Sequence, residues 1–157
     1  MNRKFCAVIA FTVFVSLILC ACGSEPAVSA DLNALYEKLS SAEGMNELVS
    51  VPAEKGLIFF GIDPADCVQE ITAICTDSLL ADELWLIEAK DEAAAQRIEA
   101  LAKQRLAQKG EELKSYLPEQ YKAVEMAKLE RRGTYVILLV SPAVDRLSAL
   151  VNDSFNQ

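Results

Sequence analysis

Arg131-Arg132-Gly133-Thr134-Tyr135-Val136-Ile137-Leu138-Leu139-Val140-Ser141-Pro142 decides the fold. Only a strand covered on both faces keeps so unbroken an apolar run, so Tyr135 to Val140 reads as the centre of a sheet. Upstream, Val124 to Glu130 alternates apolar with charged residues and reads as a strand nearer an edge. A tight glycine turn at Gly133 joins the two as a hairpin. Downstream, Ser141 caps a last helix with Pro142 at its first position, and Leu147, Leu150, Val151 and Phe155 form its buried stripe.

Moving towards the N-terminus, Asp91 caps the longest helix, with Ala94, Ile98, Leu101, Ala102, Leu106, Leu113 and Leu117 on its apolar side. Pro118 ends it after about 26 residues, roughly 40 Å at about 1.5 Å per residue. Gly110 lies inside, where it costs about 1 kcal/mol relative to alanine and gives the helix a place to bend. Before this helix, Leu84 to Ala89 is a strand that holds the only tryptophan, Trp85. Val68 to Thr76 is its hairpin partner, with Ile71, Ala73 and Cys75 on one face and Val68, Glu70, Thr72 and Ile74 on the other. Asp63 followed by Pro64 reads as a cap and first helical residue of a single turn. Pro52 opens a short helix that runs to Phe60 and stops at Gly61, and its Leu57, Ile58, Phe59 and Phe60 are expected to be buried. An earlier helix uses Leu32, Leu35, Tyr36 and Leu39, with Ser29 or Asp31 as cap, and Ser40 to Gly44 breaks it.

The order strand, strand, helix, strand, strand, helix predicts an α+β domain: a four-stranded antiparallel sheet made of two hairpins, with both long helices on one face and two short helices in front. Leu84 to Ile98 and Thr134 to Leu147 run in parallel, each from apolar strand through a capped turn into an amphipathic helix. The second and fourth strands are apolar on both faces, so the far side needs a cover. The N-terminal helices with Phe59 and Phe60 are expected to supply it, an oligomer or partner being the alternative.

The first 21 residues have a different character. Asn2, Arg3 and Lys4 precede an apolar run from Phe5 to Leu19, which reads as an export signal. Leu19-Cys20-Ala21-Cys22 resembles the lipobox of bacterial lipoproteins, in which the cysteine sulfur is lipidated and becomes the new N-terminus. Cleavage after Ala21 and attachment at Cys22 are therefore expected. Cys20 fits less well because bulky Leu19 precedes it. The alternatives are ordinary secretion with cleavage after Ala30, at the end of Val28-Ser29-Ala30, and a retained membrane helix. The division expected is a signal peptide at 1–21, a lipidated tether at 22–30 and one domain at 31–157. Gly23 to Ser29 reaches at most about 25 Å, which holds the domain close to the outer face of the cytoplasmic membrane. Two long acyl chains contribute on the order of 20 kcal/mol of anchoring, where one holds only marginally.

Cleavage would leave about 136 residues, enough for one core. The signal holds two of the 15 Lys plus Arg and none of the 23 Asp plus Glu, so the remainder has a net charge of about −10. Nucleic acid is thereby disfavoured, since its phosphates demand a basic face, and a cationic partner is favoured. The absence of histidine removes the usual Ser-His-Asp and Cys-His arrangements and imidazole zinc sites. Cys67 and Cys75 would lie about 26 Å apart on one strand, beyond the ~6.8 Å that a disulfide tolerates, so no intrachain bridge is expected.

Gly61-Ile62-Asp63-Pro64-Ala65-Asp66, Ala89-Lys90-Asp91-Glu92-Ala93-Ala94, Tyr116-Leu117-Pro118 and Gly133-Thr134-Tyr135-Val136 through Ser141-Pro142 together resemble a family of small lipoproteins, found mostly in Gram-positive bacteria and classed as a domain of unknown function (domain of unknown function 4358). The resemblance spans Asp31 to Phe155. It implies the lipoprotein character and the fold, and it implies no activity, cofactor or catalytic residue. The two internal cysteines depart from the family pattern.

Candidate sites are few. Asp63 with Asp66, and Asp77 with Asp82 and Glu83, offer oxygen ligands but lack the dense alternation of a calcium loop, and capping explains them; no metal and no cofactor is expected. Trp85 is a core residue or, if exposed, a binding anchor. Arg131 and Arg132 at a hairpin tip stand out on an acidic chain, as solvated charges or as a contact for acidic groups. The expected function is a noncatalytic interaction module that meets an envelope protein partner. The alternative is an enzyme that uses paired carboxylates on a cell-wall polymer.

Overall fold

The computed structural model describes residues 30–156. Cys22, Ala21 and the rest of the expected signal and tether up to Ser29 lie outside the described residues. In chain order the elements are α1 (Leu32–Ser40), β1 (Leu48–Val51), α2 (Ala53–Phe60), a 3-10 turn (Pro64–Asp66), β2 (Cys67–Cys75), β3 (Glu83–Ala89), α3 (Glu92–Leu113), α4 (Pro118–Glu125), β4 (Lys128–Arg132), β5 (Tyr135–Val140) and α5 (Val144–Phe155).

The class is α+β, as expected, but the sheet has five antiparallel strands in the order β1-β2-β3-β5-β4 rather than four. The added strand, Leu48-Val49-Ser50-Val51, is too short for periodicity to reveal. One side of its backbone is satisfied by a non-local partner, Leu48 opposite Cys75 through Val51 opposite Thr72. The apolar run Tyr135 to Val140 is interior and buried at every position, with β3 on one side and β4 on the other.

Pairing register sorts the side chains into two cores. Trp85, Ile87, Val136, Leu138 and Val140 face α3, where Ala94, Ala95, Ile98 and Ala102 meet them. Leu84, Leu86, Tyr135, Ile137 and Leu139 face the other way, onto Leu32, Leu35 and Leu39 of α1 and Val144, Leu147 and Val151 of α5. The two long helices thus lie on opposite faces, which corrects the expectation that they share one. Stacking both on one side would leave the other row of Leu and Ile in water, at about 1.5–3 kcal/mol for each side chain. The short strand-to-helix connections limit where a helix starts but not which face it covers.

The cover of the second face is also divided differently. α1 takes part in it with α5, whereas α2 lies on the α3 side, where Phe60 tilts against Trp85 with ring centroids 5.0 Å apart. The expected burial of the whole Leu57 to Phe60 cluster fails: Phe60 is buried, while Leu57, Ile58 and Phe59 are 55%, 80% and 57% exposed.

The long helix ends at Leu113 rather than Leu117, and Pro118 opens α4 instead of merely closing α3. Gly110 stays inside α3 and is buried, its Cα side turned to the Tyr121 ring of α4. Ala123 and Val124 are buried by α4, so the strand expected from Val124 begins only at Lys128. Ser141 holds a turn, its Oγ accepting from the Ala143 N–H at 3.1 Å, and the last helix starts at Val144. Asp31 and Asp91 cap α1 and α3 as expected, and Asp63 caps the 3-10 turn through the Ala65 N–H at 2.9 Å.

Candidate functional site

α2 begins with the fixed φ of Pro52 and ends at Gly61, whose φ of +76° favours glycine. Only its inward residues are engaged. Phe60 enters the core under the Arg105 guanidinium, which stands 5.6 Å from the ring centroid. Leu57, Ile58 and Phe59 form a consecutive apolar ridge that flanks a groove of about 250 Å³, with Leu101, Gln104 and Gln108 of α3 on its far wall.

Beneath α2 lies Glu70 of β2. A Cβ on Gly56 would come within 2.2 Å of Glu70 Oε1, so glycine lets the helix rest on this carboxyl. Both Glu70 oxygens are buried and neither has a hydrogen-bond partner; the Thr72 hydroxyl beside them is likewise unpartnered. Burial pushes the Glu70 carboxyl above the ordinary value of 4.5, an effect that the neighbouring Thr72 reduces without cancelling.

A second carboxylate on the same sheet face, Glu83, is fully served. Its Oε1 accepts from Trp85 Nε1 at 2.9 Å, and its Oε2 accepts from Arg105 Nη2 at 2.9 Å and Lys109 Nζ at 2.7 Å. Lys109 also donates to the Ala81 carbonyl at 2.6 Å. Burial works against the Glu83 charge, but the Arg105 and Lys109 contacts outweigh it and hold the carboxyl below its ordinary range. Arg105 and Lys109 are four residues apart, hence on one face of α3.

The four residues weighed from sequence as binding candidates, Asp63, Trp85, Arg131 and Arg132, do not converge on one site, although Trp85 meets the acidic candidate Glu83. Trp85 is fully buried, packed by Phe60 and bonded to Glu83. Asp63 is a cap. Arg131 and Arg132 point to opposite faces of β4: Arg131 reaches Glu99 of α3 at 3.0 Å, and Arg132 binds Glu130 and Asn152 and lies 4.9 Å from the Phe155 ring. Asp66 is held by Arg97 and Lys90 well below the usual carboxylate range. Asp77 accepts from the Leu79 N–H, and Asp82 from Asn46. Cys67 and Cys75 stand at the two ends of β2 as free thiols, and burial, with Glu70 adding to it, pushes the Cys67 thiol up to about 11. Among the described residues, no group of three or more Cys, Asp and Glu side chains is placed to hold a metal ion. No helix among them is long and apolar enough to cross a membrane.

Sequence reasoning missed the ion cluster and the open ridge. The cluster had a signal in the i, i+4 cations of α3 and in an acidic residue, Glu83, at the head of a strand apolar on both faces. The ridge had none, because Leu57 to Phe60 reads as core whichever way the helix turns.

The family model described as domain of unknown function (DUF4358) matches residues 44–141, from the loop before β1 to the end of β5. No curated protein matches the chain. Nor does any solved structure.

Proposed function

Since the chain belongs to the DUF4358 family, whose description assigns no activity, we propose from its own surface that it is a noncatalytic interaction module, tethered by a lipid on Cys22 to the outer face of the cytoplasmic membrane. The observation that carries the reading is the ridge of Leu57, Ile58 and Phe59, exposed together on one helix beside a groove. Large exposed apolar side chains that cluster in this way mark a contact surface, where scattered ones do not. The cations on and just before α3 are absorbed within the fold: Arg105 and Lys109 by Glu83, Lys90 and Arg97 by Asp66.

A carboxylate enzyme would need an acid or base within reach of substrate. Glu70, the carboxyl that burial shifts upwards, has both oxygens closed off from solvent beneath α2. Cross-linking in living cells tests the module: recovery of an envelope protein through the mature domain is the expected result. Turnover of a wall fragment with no protein partner recovered would overturn it. The anchor has its own test, since Cys22→Ala should move the protein out of the membrane fraction and abolish metabolic lipid labelling. An unmodified sulfur at Cys22 in the native protein would sink that part.

A further inference from the structure

The two edges of the sheet are finished differently. β4 carries Lys128, Glu130, Arg131 and Arg132 in a five-residue strand, and each is tied to a neighbouring side chain. Charges of this density on an edge discourage a further strand from adding. β1 has no charged residue from Leu48 to Val51 and, among the described residues, is hydrogen-bonded into the sheet only through β2. Nothing else among the described residues packs on β1 to a comparable extent. Val49 is 49% exposed and, opposite Ile74, lies on the sheet face that also carries α2.

The edge is bracketed by acid. Glu47 precedes β1 and Glu54 follows it in the first turn of α2; both are exposed, and among the described residues neither has an ion-pair partner. Lys55 is the one counterweight in the exposed first turn of α2, on a chain whose formal net charge is −8. Two copies meeting edge to edge would bring these glutamates and two negative molecules together, and anionic headgroups would meet the same repulsion. A basic partner would not.

We infer that the β1 edge receives an extended segment of an envelope protein, apolar at alternate positions and flanked by Lys or Arg, as an additional strand. The inference rests on the interaction-module reading and names its mode and partner class. Main-chain hydrogen bonds along the open side of β1 supply affinity. Val49 covers apolar side chains on one face, and Glu47 and Glu54 select basic flanks.

The test uses the full-length chain in phosphatidylcholine nanodiscs and two labelled peptides of alternating valine and threonine, one flanked by lysines and one by glutamates, followed by fluorescence anisotropy. The lysine-flanked peptide should bind saturably and at least tenfold more tightly than its counterpart. Val49→Lys, at an exposed position and checked by melting temperature, should weaken it about tenfold, whereas Ile58→Lys, away from that edge, should not. Equal binding of the two peptides, indifference to Val49→Lys, or a concentration-dependent dimer that binds neither peptide overturns the inference. A photo-cross-linker at Ile58 separates it from the broader reading: capture of an envelope protein in cells while the lysine-flanked peptide fails ends the strand mode and leaves the module standing, and failure of both ends both.

Discussion

Glu83 and Glu70 lie on the same face of the sheet, yet their surroundings are opposite. Glu83 collects an indole N–H, a guanidinium and an ammonium, while Glu70 has no charged or ring donor and only the Thr72 hydroxyl beside it. The helix over Glu83 is α3, locked by Ala94, Ala95, Ile98 and Ala102; the helix over Glu70 is α2, which buries only Gly56 and Phe60. One end of this face is therefore overdetermined and the other underdetermined. Regions that bind partners are drawn from the weakly held end of a fold, and the exposed ridge sits on the weakly held helix.

Glu83→Ala should do the most damage. Removing it leaves Arg105 and Lys109 facing each other in a largely buried setting and strips Trp85 Nε1 of its acceptor, for a loss of about 3–5 kcal/mol. Denaturant unfolding measures it. A loss under about 1 kcal/mol would show that the cluster relaxes into solvent, and the contrast between the two ends would collapse.

Glu70→Gln should move stability the other way. Because the folded state holds the Glu70 carboxyl above its ordinary value of 4.5, the protonated form is favoured by folding. The penalty for ionising it is present at neutral pH, shrinks as pH falls through the raised folded value, and is gone below the unfolded value of 4.5. The substitution is thus expected to stabilise by about 1 kcal/mol at neutral pH, an amount limited by solvent screening of this partly exposed residue, and to be neutral in acid. Glu83 has the reverse dependence: its folded value is depressed, so its stabilisation is complete above 4.5 and is lost as pH falls through the folded value. Thermal melts of wild type and Glu70→Gln across pH 4 to 7 follow the difference; a stability gain that does not vary over this range would refute a strained carboxyl.

The strands of the centre and most caps were legible because their determinants are local: an apolar run at Tyr135–Val140, Asp91 ahead of Ala94, Pro64 after Asp63. The face chosen by each helix was not, because β3 and β5 are apolar on both sides and the decision belongs to the whole sheet. β1 escaped for the same reason, since Leu48–Val51 is a strand only by virtue of Thr72 to Cys75. The four candidate residues illustrate the limit at the level of a site. Trp85, Asp63, Arg131 and Arg132 were conspicuous by residue type, and each has its partners inside the fold. The ridge is conspicuous only once the helix has a direction, because Phe59 and Phe60 are chemically identical neighbours and only the packing on Trp85 distinguishes them.

That pair gives the finest resolution of the contrast. Phe60→Ala removes a buried ring from against Trp85 and should cost about 3 kcal/mol, while Phe59→Ala and Ile58→Lys should stay within about 0.5 kcal/mol of wild type. Hydrogen exchange refines the same point. Amides of α2 should exchange through local opening, with protection well below the global stability, and those of α3 around Ile98 and Ala102 only on global unfolding. If α2 and α3 exchanged together, the ridge would be part of one cooperative unit, and its exposed side chains would have to be held out against a rigid scaffold. If α2 opens alone, the opening frees the Glu70 carboxyl from the burial that penalises its charge, so Glu70→Gln should raise the protection of the α2 amides at neutral pH.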